Sequence, residues 1–116
     1  MAEPAVRDLE LYRGDNYTHQ ILFVNNDDTP EPMNLSGYEF KAEIRDRPEG
    51  STSIRATFDI DVSNAGVGII VLSLPPSSTR INSGYWDLEV NDGYSTRTWL
   101  RGSVKMLGDV TQGVTL

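Results

Sequence analysis

Between Tyr38 and Arg45 every second side chain is apolar: Tyr38, Phe40, Ala42 and Ile44 alternate with Glu39, Lys41, Glu43 and Arg45. Only an extended chain, whose side chains point to opposite faces in turn, converts this pattern into one dry and one wet surface. The segment predicts a strand over 38–46 in an antiparallel sheet with one solvated side. The same period recurs along the chain. Leu9 and Leu11 alternate within 8–13, and over 17–24 Tyr17, His19, Ile21 and Phe23 oppose Thr18, Gln20, Leu22 and Val24. Over 53–62 Ile54, Ala56, Phe58, Ile60 and Val62 oppose Arg55, Thr57, Asp59 and Asp61. Trp86, Leu88 and Val90 oppose Tyr85, Asp87 and Glu89 over 84–90, and a long last strand over 95–107 sets Leu100, Val104 and Met106 on one face. Residues 67–74 are apolar on both faces.

Turn chemistry separates these runs. Arg13-Gly14-Asp15-Asn16, Ser63-Asn64-Ala65-Gly66 and Asn91-Asp92-Gly93 are rich in residues that tolerate left-handed backbone. Arg47-Pro48-Glu49-Gly50-Ser51 predicts the turn of a hairpin between 38–46 and 53–62. Residues 25–37, with two prolines and five Asn or Asp, form a surface loop that Met33 and Leu35 can anchor. Pro75-Pro76 ends a strand, and Ser77 to Ile81 predicts one helical turn. Gly102 permits a bulge or a close approach within the last strand. Seven strands with a turn about every ten residues predict an all-β sandwich or small barrel. The expected division is one domain over 1–107 and a weakly patterned tail over 108–116.

Composition limits what such a domain does. No cysteine is present, so the fold rests on packing without a disulfide or thiolate site. The formal net charge of −7 disfavours nucleic acid and anionic membrane as partners, since both are bound through Lys and Arg. Met1 to Ala5 lacks the basic and apolar regions of a signal peptide, and the longest apolar run, Val67 to Leu74, has strand length and not membrane-spanning length.

Catalytic parts are scarce. His19 stands alone in a strand, without a nucleophile-elbow sequence. Zinc needs three or four ligands, and the His and Cys supply is one residue. Asp27-Asp28 and Asp59/Asp61 lack the spacing of a calcium loop, and acidic residues on a wet strand face are ordinary. Arg13-Gly14-Asp15 spells an integrin-type tripeptide, but a Gly-Asp turn is what the backbone asks for there. Gly66-Val67-Gly68 lacks the further glycine and helix of a dinucleotide site. The expectation is a protein that is not an enzyme and has no cofactor and no metal.

Two features stand out. Ile70, Leu72 and Leu74 can face the core, leaving Val67, Ile69 and Val71 to face elsewhere, and Trp99 is out of phase with Leu100, Val104 and Met106. Either these residues are interior, through a covered face or a local bulge, or Val67, Ile69, Val71 and Trp99 form a subunit interface, where aliphatic and aromatic anchors concentrate. Tyr12, Tyr85, Trp86, Tyr94 and Trp99 offer a weaker alternative, a sugar-stacking platform, so carbohydrate stays among the partners considered.

The order Leu9-Glu10-Leu11-Tyr12-Arg13-Gly14-Asp15, Asn34-Leu35-Ser36-Gly37-Tyr38 and Ala42-Glu43-Ile44-Arg45-Asp46 resembles small β-sandwich domains of phage tails and baseplates. The likeness is to the N-terminal domain of the phage baseplate upper protein family. It continues through Gly66 to Leu74, Gly84-Tyr85-Trp86-Asp87-Leu88 and Leu100-Arg101-Gly102-Ser103-Val104. Asn34 and Ser36 depart from the Asp and Thr of that pattern, and these 116 residues hold no counterpart of the receptor-binding or fibre-attachment region of many relatives. The resemblance implies an immunoglobulin-like antiparallel β-sandwich of about seven strands. It further implies a multi-copy tail or baseplate adaptor of a bacteriophage virion, made in the host cytoplasm, homo-oligomeric and docked on other virion proteins. A head decoration protein and a carbohydrate-binding module for host adsorption are the alternatives.

Overall fold

The computed structural model describes residues 4–25, 30–47 and 53–108. They form nine strand segments: β1 Ala5–Val6, β2 Leu9–Tyr12, β3 Tyr17–Leu22, β4 Glu39–Arg45, β5 Ile54–Thr57, β6 Asp59–Asp61, β7 Ile69–Leu74, β8 Gly84–Asn91 and β9 Thr96–Leu107. One sheet, sheet A, runs β1-β9-β8-β4-β5, with β2 also on β9; the other, sheet B, runs β3-β7-β6. β1 and β2 pair in parallel with successive parts of β9, and every other pairing is antiparallel. Tail residues 109–116, the Asp27-Asp28 pair and most of the turn after Arg47 lie outside the described residues.

The core is what the alternation predicts. Leu9, Leu11, Ile21, Ala42, Ile44, Ala56, Phe58, Ile70, Leu72, Leu74, Trp86, Leu88, Val90, Leu100, Val104 and Met106 meet between the sheets. Leu35 anchors the loop after β3, fully buried, and Met33 N donates to Phe23 O at 3.0 Å. The expected helical turn is a short 3-10 helix, Pro76–Ser78.

Three departures have local causes. Segment 53–62 is not one strand: β5 pairs with β4 in sheet A, and β6 pairs with β7 in sheet B. Phe58 stands between them, buried, with its N–H on Ala42 O, so the chain crosses the core at this residue. Val67 lies outside the strand, in a 3-10 turn over Ala65–Val67 that Gly68 ends at φ 82°. Trp99 is the bulged residue of β9, because Leu88 pairs with Leu100 while Glu89 pairs with Thr98. An extra residue turns consecutive side chains to one side, which accounts for the broken phase.

Candidate functional site

Sheet B has the less ordinary outer surface. Its rows run Leu22–Ile69, then Gln20–Val71–Asp61, then Thr18–Ser73–Asp59. Buried Ile21, Ile70 and Leu72 alternate with these residues and fix them on the outside. At one end the surface is apolar. Leu22 and Val24 are about half exposed, Val67 is 56% exposed, and Ile69 and Val71 are half-buried. Val67, Ile69 and Val71 thus fall together at one end of sheet B. Trp99 does not join them: its ring turns to the core and packs edge-on against Phe23, centroids 5.2 Å apart, and Tyr38, 6.1 Å apart. Leu22 and Val24 were missed as members of the patch. The signal was present, because both share the face of Thr18 and Gln20, but the register Leu22↔Ile69 is what joins them to β7.

The outer face of sheet A is polar and grooved. A cleft of about 680 Å³ is bounded by Pro4 and Val6 on one side and Arg47 on the other, over a floor that includes Glu43, Tyr85, Asp87 and Arg101. Glu43, Asp87 and Arg101 are cross-strand neighbours. Glu43 is 7% exposed and is held by Arg45 Nη2 at 2.9 Å and Lys41 Nζ at 3.8 Å. Burial, with Glu89 and Glu43 nearby, pushes the Asp87 carboxyl above its ordinary range, against the pull of Arg45.

The other residues singled out in the sequence are placed as follows. His19 is half-buried, stacked on Tyr17 with centroids 6.2 Å apart, and its Nε2 has no hydrogen-bond partner. Burial, and secondarily the Arg7 charge, lower its pKa, so the ring is neutral at neutral pH. Asp61 Oδ1 accepts the Ser63 N–H at 2.8 Å, and the bonds from Ser63 hold its pKa down. Arg13-Gly14-Asp15 is tied to the fully buried Thr79. Its Oγ1 accepts the Gly14 N–H at 3.1 Å and donates to Asp15 O at 2.7 Å, while Gly14 needs φ 86°. The aromatic residues do not form one platform: Trp86 is buried, Tyr85 lines the cleft, and Tyr94 is 98% exposed on a hairpin tip. Among the described residues no group of three or more His, Asp or Glu is gathered as a metal site. No described helix is long and apolar enough to cross a membrane.

Two facing sheets of mainly antiparallel strands, with the first strands parallel to the last, define an immunoglobulin-like β-sandwich. The chain belongs to the family described as LtfC-like, beta-sandwich domain, whose model matches residues 3–106. No curated protein matches the sequence. Among solved structures it is similar to an endo-fucoidan hydrolase of glycoside hydrolase family 107, with TM-score 0.53 and 11% identity over 90% of this chain and 13% of that one. It is also similar to the N-terminal Ig1-2 module of the Drosophila receptor protein tyrosine phosphatase DLAR, with TM-score 0.50 and 8% identity over 97% of this chain and 50% of that one. The chain therefore spans half or less of either structure, and at such identities the likeness is one of fold.

Proposed function

We propose that this chain is a non-enzymatic docking module of a bacteriophage virion, placed in many copies on the tail or baseplate and seated there by the outer face of sheet B on another virion protein. The observation that carries the docking role is the apolar end of that face, Leu22, Val24, Val67, Ile69 and Val71, on a sheet surface that solvent should make polar. The virion setting is supported by the resemblance of the sequence to phage tail and baseplate sandwiches. Asp59 and Asp61 edge the patch and keep the free chain soluble, while the apolar side chains supply short-range attraction. An immunoblot of gradient-purified particles tests this. Wild type should band with the particles, and Ile69→Lys, folded by circular dichroism, should not. Absence of the wild-type chain from particles would contradict the proposal.

A second reading follows from the cleft on sheet A. Tyr85 beside carboxylates and guanidinium groups is the mixture that hydroxyl-rich ligands require, an apolar ring flanked by hydrogen-bonding groups. A glycan array probed with wild type and Tyr85→Ala decides it: loss of a signal in the variant favours carbohydrate, and no wild-type signal removes that reading.

A further inference from the structure

We infer that β3 is an open edge for strand addition, and that its occupant is β3 of a second copy of this chain, joined antiparallel across a twofold axis. The inference deepens the docking proposal and rests on it only for where in the particle the pairing occurs.

An exposed edge strand carries a row of unpaired N–H and C=O groups, and folds ordinarily blunt it with charge, proline or short length. The other edges here are blunted. β6 has three residues, two of them Asp; β1 has two; β2 carries Glu10 between Asp8 and Arg13; and β5 has four, with Arg55 reaching back to Ser83 O. β3 differs. Its six residues, Tyr-Thr-His-Gln-Ile-Leu, contain no proline and no Asp, Glu, Lys or Arg, and its histidine is neutral at neutral pH. Among the described residues its one neighbour in sheet B is β7.

The ladder fixes which backbone groups are free. Phe23 N donates to Gly68 O at 2.8 Å, in line with the register Leu22↔Ile69. Hydrogen-bonded and non-hydrogen-bonded pairs alternate in an antiparallel ladder. Tyr17, His19 and Ile21 therefore spend their N–H and C=O groups on β7, and Thr18, Gln20 and Leu22 turn theirs outward. These outward groups have no backbone partner among the described residues. Two copies centred on Gln20 would pair Gln20 with Gln20 and each Thr18 with the other copy's Leu22, exchanging about six hydrogen bonds.

The outward N–H and C=O groups of Thr18, Gln20 and Leu22 match those of their own copies across the twofold, which points to a second copy as the occupant, and charge permits it. Each chain carries a net charge of −7, so self-association needs a contact that keeps carboxylates apart. At β3 the nearest acids of sheet B, Asp59 and Asp61, stand two strands away, roughly 10 Å from the edge and about one Debye length from it. Arg7, whose charge reaches Tyr17 and His19, lies at one end of the strand. Antiparallel pairing puts the two copies of Arg7 at opposite ends of the joint.

Sedimentation velocity over a concentration series tests the inference on the full chain. Wild type should show a monomer–dimer equilibrium. Gln20→Pro should raise the dimer Kd by about tenfold or more, because its nitrogen points to the open edge and the bonds to β7 remain. Gln20→Lys, which sets two ammonium groups opposite each other, should do the same; it decides the matter if the proline variant has lost its β-type circular dichroism. Gln20→Thr should dimerise as wild type. A wild type that is monomeric throughout, or a dimer that Ile69→Lys abolishes and both Gln20 variants keep, would overturn the pairing. A monomer that still bands with particles would sink the pairing and leave the docking proposal standing, whereas a dimer absent from particles would do the reverse.

Discussion

Gly102 has no side chain because another group occupies that space: a Cβ there would collide with the Arg7 carbonyl. The same carbonyl accepts the Trp86 Nε1–H at 2.7 Å, and Arg7 N donates to Arg101 O at 2.8 Å. One residue thus ties the start of the chain to both β8 and β9 and satisfies the indole of a buried tryptophan. Gly102→Ala should lower stability by about 1–3 kcal/mol through forced backbone displacement, measured by urea unfolding. A variant as stable as wild type would mean that β1 is free to shift. Asp87 has the opposite sign. It lies across from Glu43, and burial raises its carboxyl in the fold. Such a group destabilises the fold while ionised, fully so above its folded pKa and not at all below its unfolded pKa. Asp87→Asn should therefore raise the unfolding free energy at neutral pH, by no more than about 0.5 kcal/mol since the group is only partly buried and solvent screens it, as urea unfolding would read. The gain should vanish as pH falls through the carboxylate range. An Asn variant less stable at pH 7 would show that Asp87 is held by favourable contacts.

At the scale of elements, the sequence made the strands legible where each has one wet and one dry face. β4 and β8 coincide closely with their alternating segments, and Trp86, Leu88 and Val90 are buried as their phase required. Alternation says nothing about which strand a segment pairs with. For that reason the sheet switch at Phe58, the parallel pairing of β1 and β2 with β9, and the cleft that sheet A carries on its outside were not readable. Leu22 belonged visibly to a face, but joining Val67, Ile69 and Val71 required a register. The phase slip at Trp99 was readable as an anomaly, and the pairing resolves it as a bulge that carries the ring inward. Trp99→Ala should cost about 2 kcal/mol of stability, below the ~3–5 kcal/mol of a fully buried aromatic because the ring is half-buried and makes two edge-on ring contacts. An unchanged melting temperature together with weakened association would return Trp99 to the interface.

The whole molecule has a division of surfaces. Sheet A carries interleaved acids and bases over a cleft, and sheet B carries an apolar end beside an uncharged edge strand. With a net charge of −7 the chain resists indiscriminate association, which favours contacts where charge is absent. Hydrogen exchange, compared between the dilute monomer and the assembled particle, tests the proposed contacts directly. Assembly should slow exchange of the Thr18, Gln20, Leu22 and Val24 amides, with further protection over 67–71 and little change over 43–47, 85–87 and 101–103. Protection gained on the sheet A segments instead, with 18–24 exchanging as in the monomer, would contradict contacts through sheet B.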